Sequence, residues 1–384
     1  MELLFRGGAY FPQSLTALLL AQLLLESGDR KGAYGYLADA HEIGTRMKSR
    51  FLEFVCLMLD SYFAFETGGQ AGEERGHALL KKAMTLGREA DIVNFQGLKR
   101  EVVTRLCAKA LEAGIEVEFA KRLITSYRFL PEGALLDLEQ WRWLIKVYTL
   151  GRFRIEKDGK PLLISGKVPR KPLEMLKLLI AYGGRDVSDE RIAEALWPEA
   201  DGDTAYQSYE TTLHRLRKMI GGDSAIVRQD GSITLDPRYW WTDVWAFERM
   251  IENGASSTEP VLSVLEKAVG MYKGPFLDGD GDKQWLISMR ERLRSKFLRA
   301  AGKVGHEYEE SGQWDKAVEC YRKAIEADSL AEEFYQHLMT CYQRLGRKAE
   351  ALAVYNRCRD TLYKVFGLGP SSKTEEIYLL IRQK

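Results

Sequence analysis

In the first third of the chain, apolar residues recur every three or four positions, and strand-like alternation is absent. From Pro12 to about Gln140 this period predicts helix after helix, with segments of roughly 12 to 20 residues. Gly-containing turns at Ser27-Gly28-Asp29, Gly68-Gly69 and Gly114 separate them. Leu24, Leu25, Gly28, Ala33, Leu37 and Ala40 set small residues against large ones, the spacing of stacked helical hairpins. Looser copies run from Phe51 to Leu86 and from Asp91 to Phe129. The expectation is an α-solenoid of about three hairpins, each burying its apolar face on the next. Within it, Leu15 to Leu25 is mostly leucine, with Arg6 upstream. The run is shorter than the roughly 20 residues that span a bilayer. Glu26-Ser27-Gly28-Asp29 follows in place of a small-residue cleavage site, so a buried helix is expected.

The texture changes at Trp141. Lys146 to Ile155 alternates apolar with polar or small residues, and Lys157-Asp158-Gly159-Lys160 reads as a hairpin turn. Leu162 to Ile164 would return as a strand. Helical spacing resumes at Pro172 with Leu173, Leu176, Leu179 and Ile180, and stops at Gly183-Gly184. Ser188 is placed to cap the next helix, with Asp189 and Glu190 in its first turn, where the dipole favours acids. That helix carries Ile192, Leu196 and Trp197 and ends before Pro198. A third runs from about Thr204 to Ile220 and ends at Gly221-Gly222. Ala225 to Arg228, Gln229-Asp230-Gly231 and Ser232 to Leu235 then read as strand, turn, strand. Strands, three helices and a terminal hairpin give the layout of a winged helix.

After Trp241 the pattern is helical to the end and carries a 34-residue repeat. With Gly305 at position 8 of a tetratricopeptide repeat, Tyr308, Ala317, Tyr321 and Ala324 fall on its other signature sites. Tyr342, Ala351, Tyr355 and Cys358 occupy the equivalent places one repeat later.

The third helix of the middle region offers the most chemistry. Tyr206, Tyr209, Leu213, Leu216 and Ile220 make one apolar face. Gln207, Ser208, Thr211, Arg215 and Lys218 lie opposite, flanked by Thr212, His214 and Arg217. Arg grips guanine bidentately and Thr offers a hydroxyl or a methyl, so this face suits base edges and phosphates. A surface helix with a cationic last turn would also satisfy the dipole. Its place as third helix before a hairpin favours nucleic acid, because that is where a recognition helix enters the major groove.

Charge sharpens the picture. Lys and Arg number 56 against 55 Asp and Glu, a net charge of +1 over 384 residues. That excludes a polybasic or acidic-tail protein but leaves room for one basic face. Residues 141–180 hold ten Lys/Arg and three acids, a local charge of +7. Arg170 and Lys171, at the start of a helix, are candidate phosphate contacts, and Arg228 near the hairpin tip is a candidate minor-groove or phosphate contact. The alternative for each is a solvated surface cation.

Enzyme chemistry finds little support. The chain has no phosphate-binding glycine loop of either common kind, no G-x-S-x-G and no H-E-x-x-H. Leu277-Asp278-Gly279-Asp280-Gly281-Asp282 resembles a calcium loop, but Lys283 and Met289 stand at its glycine and bidentate-glutamate positions. An acidic, flexible inter-helix loop is expected there, with no metal and no cofactor. Cys56, Cys107, Cys320, Cys341 and Cys358 each sit in an apolar helical pattern and read as buried thiols. Trp240, Trp241 and Trp245 are placed to join the winged helix to the helices behind it.

The run from Lys146 to Ile251 resembles the DNA-binding part of bacterial transcriptional-activator-domain regulators. The residues that carry the likeness are Tyr148 to Phe153, Arg170-Lys171-Pro172-Leu173, Ala195-Leu196-Trp197-Pro198, Leu213 to Lys218 and Trp241 to Trp245. Such proteins join an OmpR-type winged helix to a tetratricopeptide-like activator domain, and the likeness extends over about 146–380. It implies that Thr211, Thr212 and Arg215 face bases, that Arg217 and Lys218 sit by phosphates, and that the wing near Arg228 touches the minor groove. Antibiotic-regulatory activators usually begin with the winged helix, whereas about 140 helical residues precede it here. Those residues, Cys107 to Ile115 in particular, resemble the superhelical repeats of large maltose-regulator-like ATPase regulators. The chain is accordingly expected to be the C-terminal part of such a regulator, or a short relative without the ATPase.

The fold expected is mainly α with a small α+β domain. Residues 1–140 form a helical repeat domain for sensing or interaction, 141–240 an OmpR-type winged helix, and 241–384 a tetratricopeptide-like activator domain. The function expected is a cytoplasmic, non-enzymatic regulator that binds promoter double-stranded DNA. RNA polymerase, a second protomer and an effector at the N-terminal repeats are its expected partners, with no membrane. The alternative is a repeat scaffold whose winged helix binds protein.

Overall fold

The computed structural model describes residues 10–162, 170–221, 223–253 and 261–383, divided between two compact units, residues 1–142 and 143–384. Arg6, Ile164 and Gly222, each named above, and Lys167, one of the ten cations counted over 141–180, lie outside the described residues.

In the first unit, α1 (Tyr10–Glu26) pairs with α2 (Arg30–Met47), α3 (Arg50–Thr67) with α4 (Gly69–Glu89), and α5 (Arg100–Glu112) with α6 (Val117–Tyr127). These are the three expected hairpins, and their turns fall at the glycines named above. Asp29 caps α2 by accepting from the Gly32 N–H at 2.9 Å, and Ser49 caps α3 by accepting from Leu52. The helical stretch ends sooner than expected. Arg128 turns into the left-handed region at φ 49°, and only a 3-10 turn at Gly133–Asp137 follows. Nor is α1 buried all round: it packs Ala17, Leu18 and Ala21 inward, while Leu19 and Leu23 stay exposed. Its buried Gln22 is satisfied, donating to the Leu18 and Gly97 carbonyls and accepting from the Lys99 N–H at 2.8 Å.

The second unit begins with β1 (Ile145–Tyr148), β2 (Arg154–Lys157) and β3 (Lys160–Pro161). The alternating run at 146–155 is two strands, because Gly151 at φ 111° lets the chain turn between them. Asp158 and Gly159, at φ 50° and 73°, make the expected hairpin turn to β3. Then come α7 (Arg170–Ala181), β4 (Val187–Ser188), α8 (Asp189–Leu196), α9 (Gly202–Ile220), β5 (Ile226–Gln229), β6 (Ser232–Leu235) and β7 (Trp240–Thr242). One sheet has the order β3-β2-β1-β7, with β7 parallel to β1; the other has the order β4-β6-β5. This is a winged helix. Residues 240–242 therefore share its sheet, and α10 (Asp243–Asn253) starts directly from that strand.

Helices α11 (Val261–Met271), α12 (Gln284–Glu310), α13 (Trp314–Ala327), α14 (Glu332–Arg344), α15 (Lys348–Phe366) and α16 (Ser372–Gln383) complete the chain. Consecutive helices from α12 to α15 pack on one another, as the repeat phase requires. At Gly305 a Cβ would overlap the buried ring of Tyr321, so α12 and α13 meet at this distance only with glycine there. Ala317, Ala324, Ala351 and Cys358 are fully buried at the other small positions. All five cysteines are buried and free. Burial pushes the thiols of Cys56, Cys107 and Cys358 up to about 12 and that of Cys320 to about 11.

Winged helix and repeats share one core that extends from Ile145 to Leu362. The buried Asp243 carboxylate accepts from the Thr149 N–H and hydroxyl, the Leu150 N–H and the Val244 N–H, at 2.7 to 2.9 Å. Trp245 of α10 donates to the Ile180 carbonyl at 3.1 Å, the expected stitch, whereas Trp240 donates to the Ala225 carbonyl at 2.7 Å and so braces the winged helix itself. The acidic loop after α11 is pinned rather than free. Leu277 N–H reaches the Thr149 carbonyl at 2.7 Å, Asp278 N–H that of Gly151 at 2.9 Å, and Asp280 pairs with Lys177.

Candidate nucleic-acid interface

Helix α9 is built to stand at the surface. Asp201 caps it with both carboxylate oxygens, accepting from the Thr204 N–H and hydroxyl at 2.9 Å. Gly221 ends it in the left-handed region at φ 71°, with Arg217 and Lys218 in the last turn. Ala205, Tyr209, Leu213, Leu216 and Ile220 are buried; the last four join Met175, Leu179, Ile192 and Leu196 in the core.

At 3.6 residues per turn, Gln207, Ser208, Thr211, His214, Arg215 and Lys218 fall within about 120° on the opposite side. Ser208 is half-buried and the other five are exposed. No hydrogen bond or ion pair among the described residues engages any of these six side chains. The stripe is therefore a row of uncommitted donors and carries no carboxylate. Glu210 is turned off it and pairs with Arg228 at 2.7 Å. Arg170, at the start of α7, is likewise exposed and uncommitted among the described residues.

Four candidates end up elsewhere. Thr212 is 6% exposed, because one residue beyond Thr211 is a 100° step toward the core. Arg217, on the other flank, is half-buried and donates to the Ile226 carbonyl at 3.3 Å, which ties α9 to the wing. Lys171 donates to the Leu196 carbonyl at 3.0 Å and pairs with Glu174 at 3.2 Å, so it caps α8. Arg228 does not extend outward from the wing. It folds back onto Asp189, Glu210 and the Tyr206 hydroxyl, at 2.7, 2.7 and 3.1 Å. The wing turn itself exposes Gln229, Asp230 and Gly231 and so presents an acid.

The cluster around Arg228 went unread in the sequence. Tyr206, assigned above to the apolar face, is 51% exposed and serves Arg228 with its hydroxyl. Buried Tyr209 donates to Asp189, and burial followed by that hydrogen bond pushes its hydroxyl well above the usual range. Asp189 was legible as an acid in a first helical turn, but its partner lies 39 residues on.

Residues 242–382 match the bacterial transcriptional activator domain family. The likeness to that family thus lies in the C-terminal part of the chain, from the end of β7 through α16. Among curated relatives it is similar to the regulatory protein AfsR of Streptomyces griseus, 26% identical over 260 residues that cover 65% of this chain and 26% of that protein. AfsR of Streptomyces coelicolor is 25% identical over 244 residues, 61% of this chain and 24% of that protein. The chain spans about a quarter of the length of these relatives. Among solved structures it is similar to Mycobacterium tuberculosis EmbR in complex with a low-affinity phosphopeptide. There the TM-score is 0.48 and the identity 21%, over 63% of this chain and 66% of that one. Among the described residues no helix is long and apolar enough to cross a membrane, and no group of three or more metal-binding side chains forms.

Proposed function

We propose that this chain is a cytoplasmic transcription regulator, an activator, that reads promoter DNA with α9 in the major groove. One observation carries the reading: the stripe from Gln207 to Lys218 presents donors that have no partner among the described residues. Arg215 suits a guanine edge, Gln207 and Thr211 an adjacent base, and Lys218 and Arg170 the flanking phosphates. The activator domain would contact RNA polymerase or a second protomer on the DNA. The N-terminal hairpins would take an effector or protein partner.

Selection of duplexes from a random library by the full chain, followed by anisotropy titration, tests this. Binding is expected to weaken about a thousandfold between about 50 and 200 mM salt for six phosphate contacts. Arg215→Ala is expected to cost ~1–3 kcal/mol and to relax preference at one position. Equal binding by wild type, Arg215→Ala and Lys218→Ala would remove α9 from the interface. No duplex binding at all would leave the protein-scaffold reading. Direct repeats about 11 base pairs apart would indicate head-to-tail protomers, and inverted repeats a twofold dimer.

A further inference from the structure

The seam between winged helix and repeats holds a groove of about 1070 Å³. Its walls come from both ends of α7, the C-terminal part of α8, Glu248 of α10 and the first turns of α12. Helix α9 and the wing strands contribute nothing to it, so an occupant would leave the reading stripe free.

Four cations, Lys171, Arg191, Lys283 and Arg292, face two carboxylates, Glu194 and Glu248. Glu248 is already neutralised by Lys296 at 2.6 Å and Arg292 at 3.3 Å. Lys171 and Lys283 share the single carboxylate of Glu174, each at 3.2 Å. Arg191 lies 3.7 Å from the centre of the Tyr182 ring and meets no carboxylate among the described residues. Lys296 also pairs with Glu252 at 2.6 Å, so the five cations stand against Glu174, Glu194, Glu248 and Glu252 and leave one positive charge in surplus. Buried Leu196 and Met289 and the half-buried Trp285 make an apolar floor beside the exposed Pro198. The Trp285 indole N–H is enclosed and has no acceptor among the described residues, so it is the ring that meets the groove.

We propose that this groove docks an acidic peptide segment of a partner protein, with an apolar side chain on the Trp285 floor and carboxylates at the cationic rim. A concave apolar floor beside surplus positive charge suits an apolar side chain flanked by carboxylates. A phosphate backbone would leave that floor empty.

The test is panning of a random twelve-residue peptide library on the full chain, with recovered peptides titrated against wild type, Trp285→Phe and Arg191→Gln. Trp285→Phe shrinks the aromatic floor while keeping it apolar; Arg191→Gln deletes one rim charge. The recovered peptides are expected to be acidic with an aromatic or leucine anchor and to bind more weakly above about 300 mM salt. Each variant is expected to weaken them about 3- to 10-fold while melting temperature and duplex binding hold. Recovery of no peptide, or equal binding by all three proteins, overturns the proposal. So does a loss of duplex affinity and a shallower salt slope in Arg191→Gln, which would assign the rim to DNA.

Discussion

The guanidinium of Arg228 lies edge-on to the Asp189 carboxylate, with Nε at 3.0 Å and Nη2 at 2.7 Å from the same oxygen. Tyr209 donates to the other oxygen, and Glu210 takes the remaining nitrogen of Arg228. Wing strand, α8 and α9 are thus tied by one charged cluster, and the angle of the wing to the reading helix depends on it. Arg228→Met is expected to cost about 2 kcal/mol of stability, since Asp189 is left buried without its counter-charge while part of the pair remains solvated. Its effect on DNA separates positioning from contact. A positioning residue lowers affinity at an unchanged salt slope, whereas loss of a phosphate contact reduces the slope by about 1. We expect the unchanged slope.

Thr211 and Thr212 are neighbours with opposite surroundings, one exposed and one 6% exposed. Thr211→Val is expected to weaken the selected duplex by about 1 kcal/mol, and Thr212→Val to change it by less than about 0.3. Anisotropy titrations of the two side by side settle which face of α9 meets DNA; the reverse order would rotate the assigned stripe by a third of a turn.

Asp243 ties the end of β1 to the start of α10, and an asparagine there would offer one acceptor and an unwanted donor to four hydrogen-bond donors. Asp243→Asn is expected to cost about 2–4 kcal/mol in chemical denaturation at pH 7. Burial pushes the Asp243 carboxyl from 3.8 up to about 6, although Leu150, Thr149 and Val244 all donate to its ionised form. The folded state then holds this proton more tightly than the unfolded chain, so its contribution to stability falls as pH rises from about 4 to about 6 and is level above. The stability difference between wild type and Asp243→Asn should shrink across that window. A difference that grew with pH would show the carboxyl to be held down by its donors.

Gly305 and Gly302 sit on the same helix and give opposite signs. Alanine is the better helix former by about 1 kcal/mol. At Gly302 a Cβ would lie 3.7 Å from its nearest neighbour, the Phe334 ring, and Gly302→Ala is expected to raise the melting temperature. At Gly305 the same methyl would meet the Tyr321 ring, and Gly305→Ala is expected to lower stability by about 1–3 kcal/mol. Equal shifts at the two sites would mean that α12 and α13 tolerate separation there.

The hairpin glycines, the cap at Ser188, the turn at Asp158-Gly159 and the repeat phase from Gly305 to Cys358 were all legible in the sequence. Each is a local rule: a helix period, a cap or a positive φ binds residues within a few positions. The stripe on α9 was legible for the same reason, since a helix converts spacing into a face. Tertiary structure alone decided which cations were free to use it. Arg217, Arg228 and Lys171 have the same chemistry as Arg215 and Lys218. Their partners, Ile226, Asp189 and Leu196, lie 9 to 39 residues away and are brought up by packing of the wing, α8 and α9. A charge count treats all of these cations alike, because it records each side chain without the carboxylate or carbonyl that folding sets beside it.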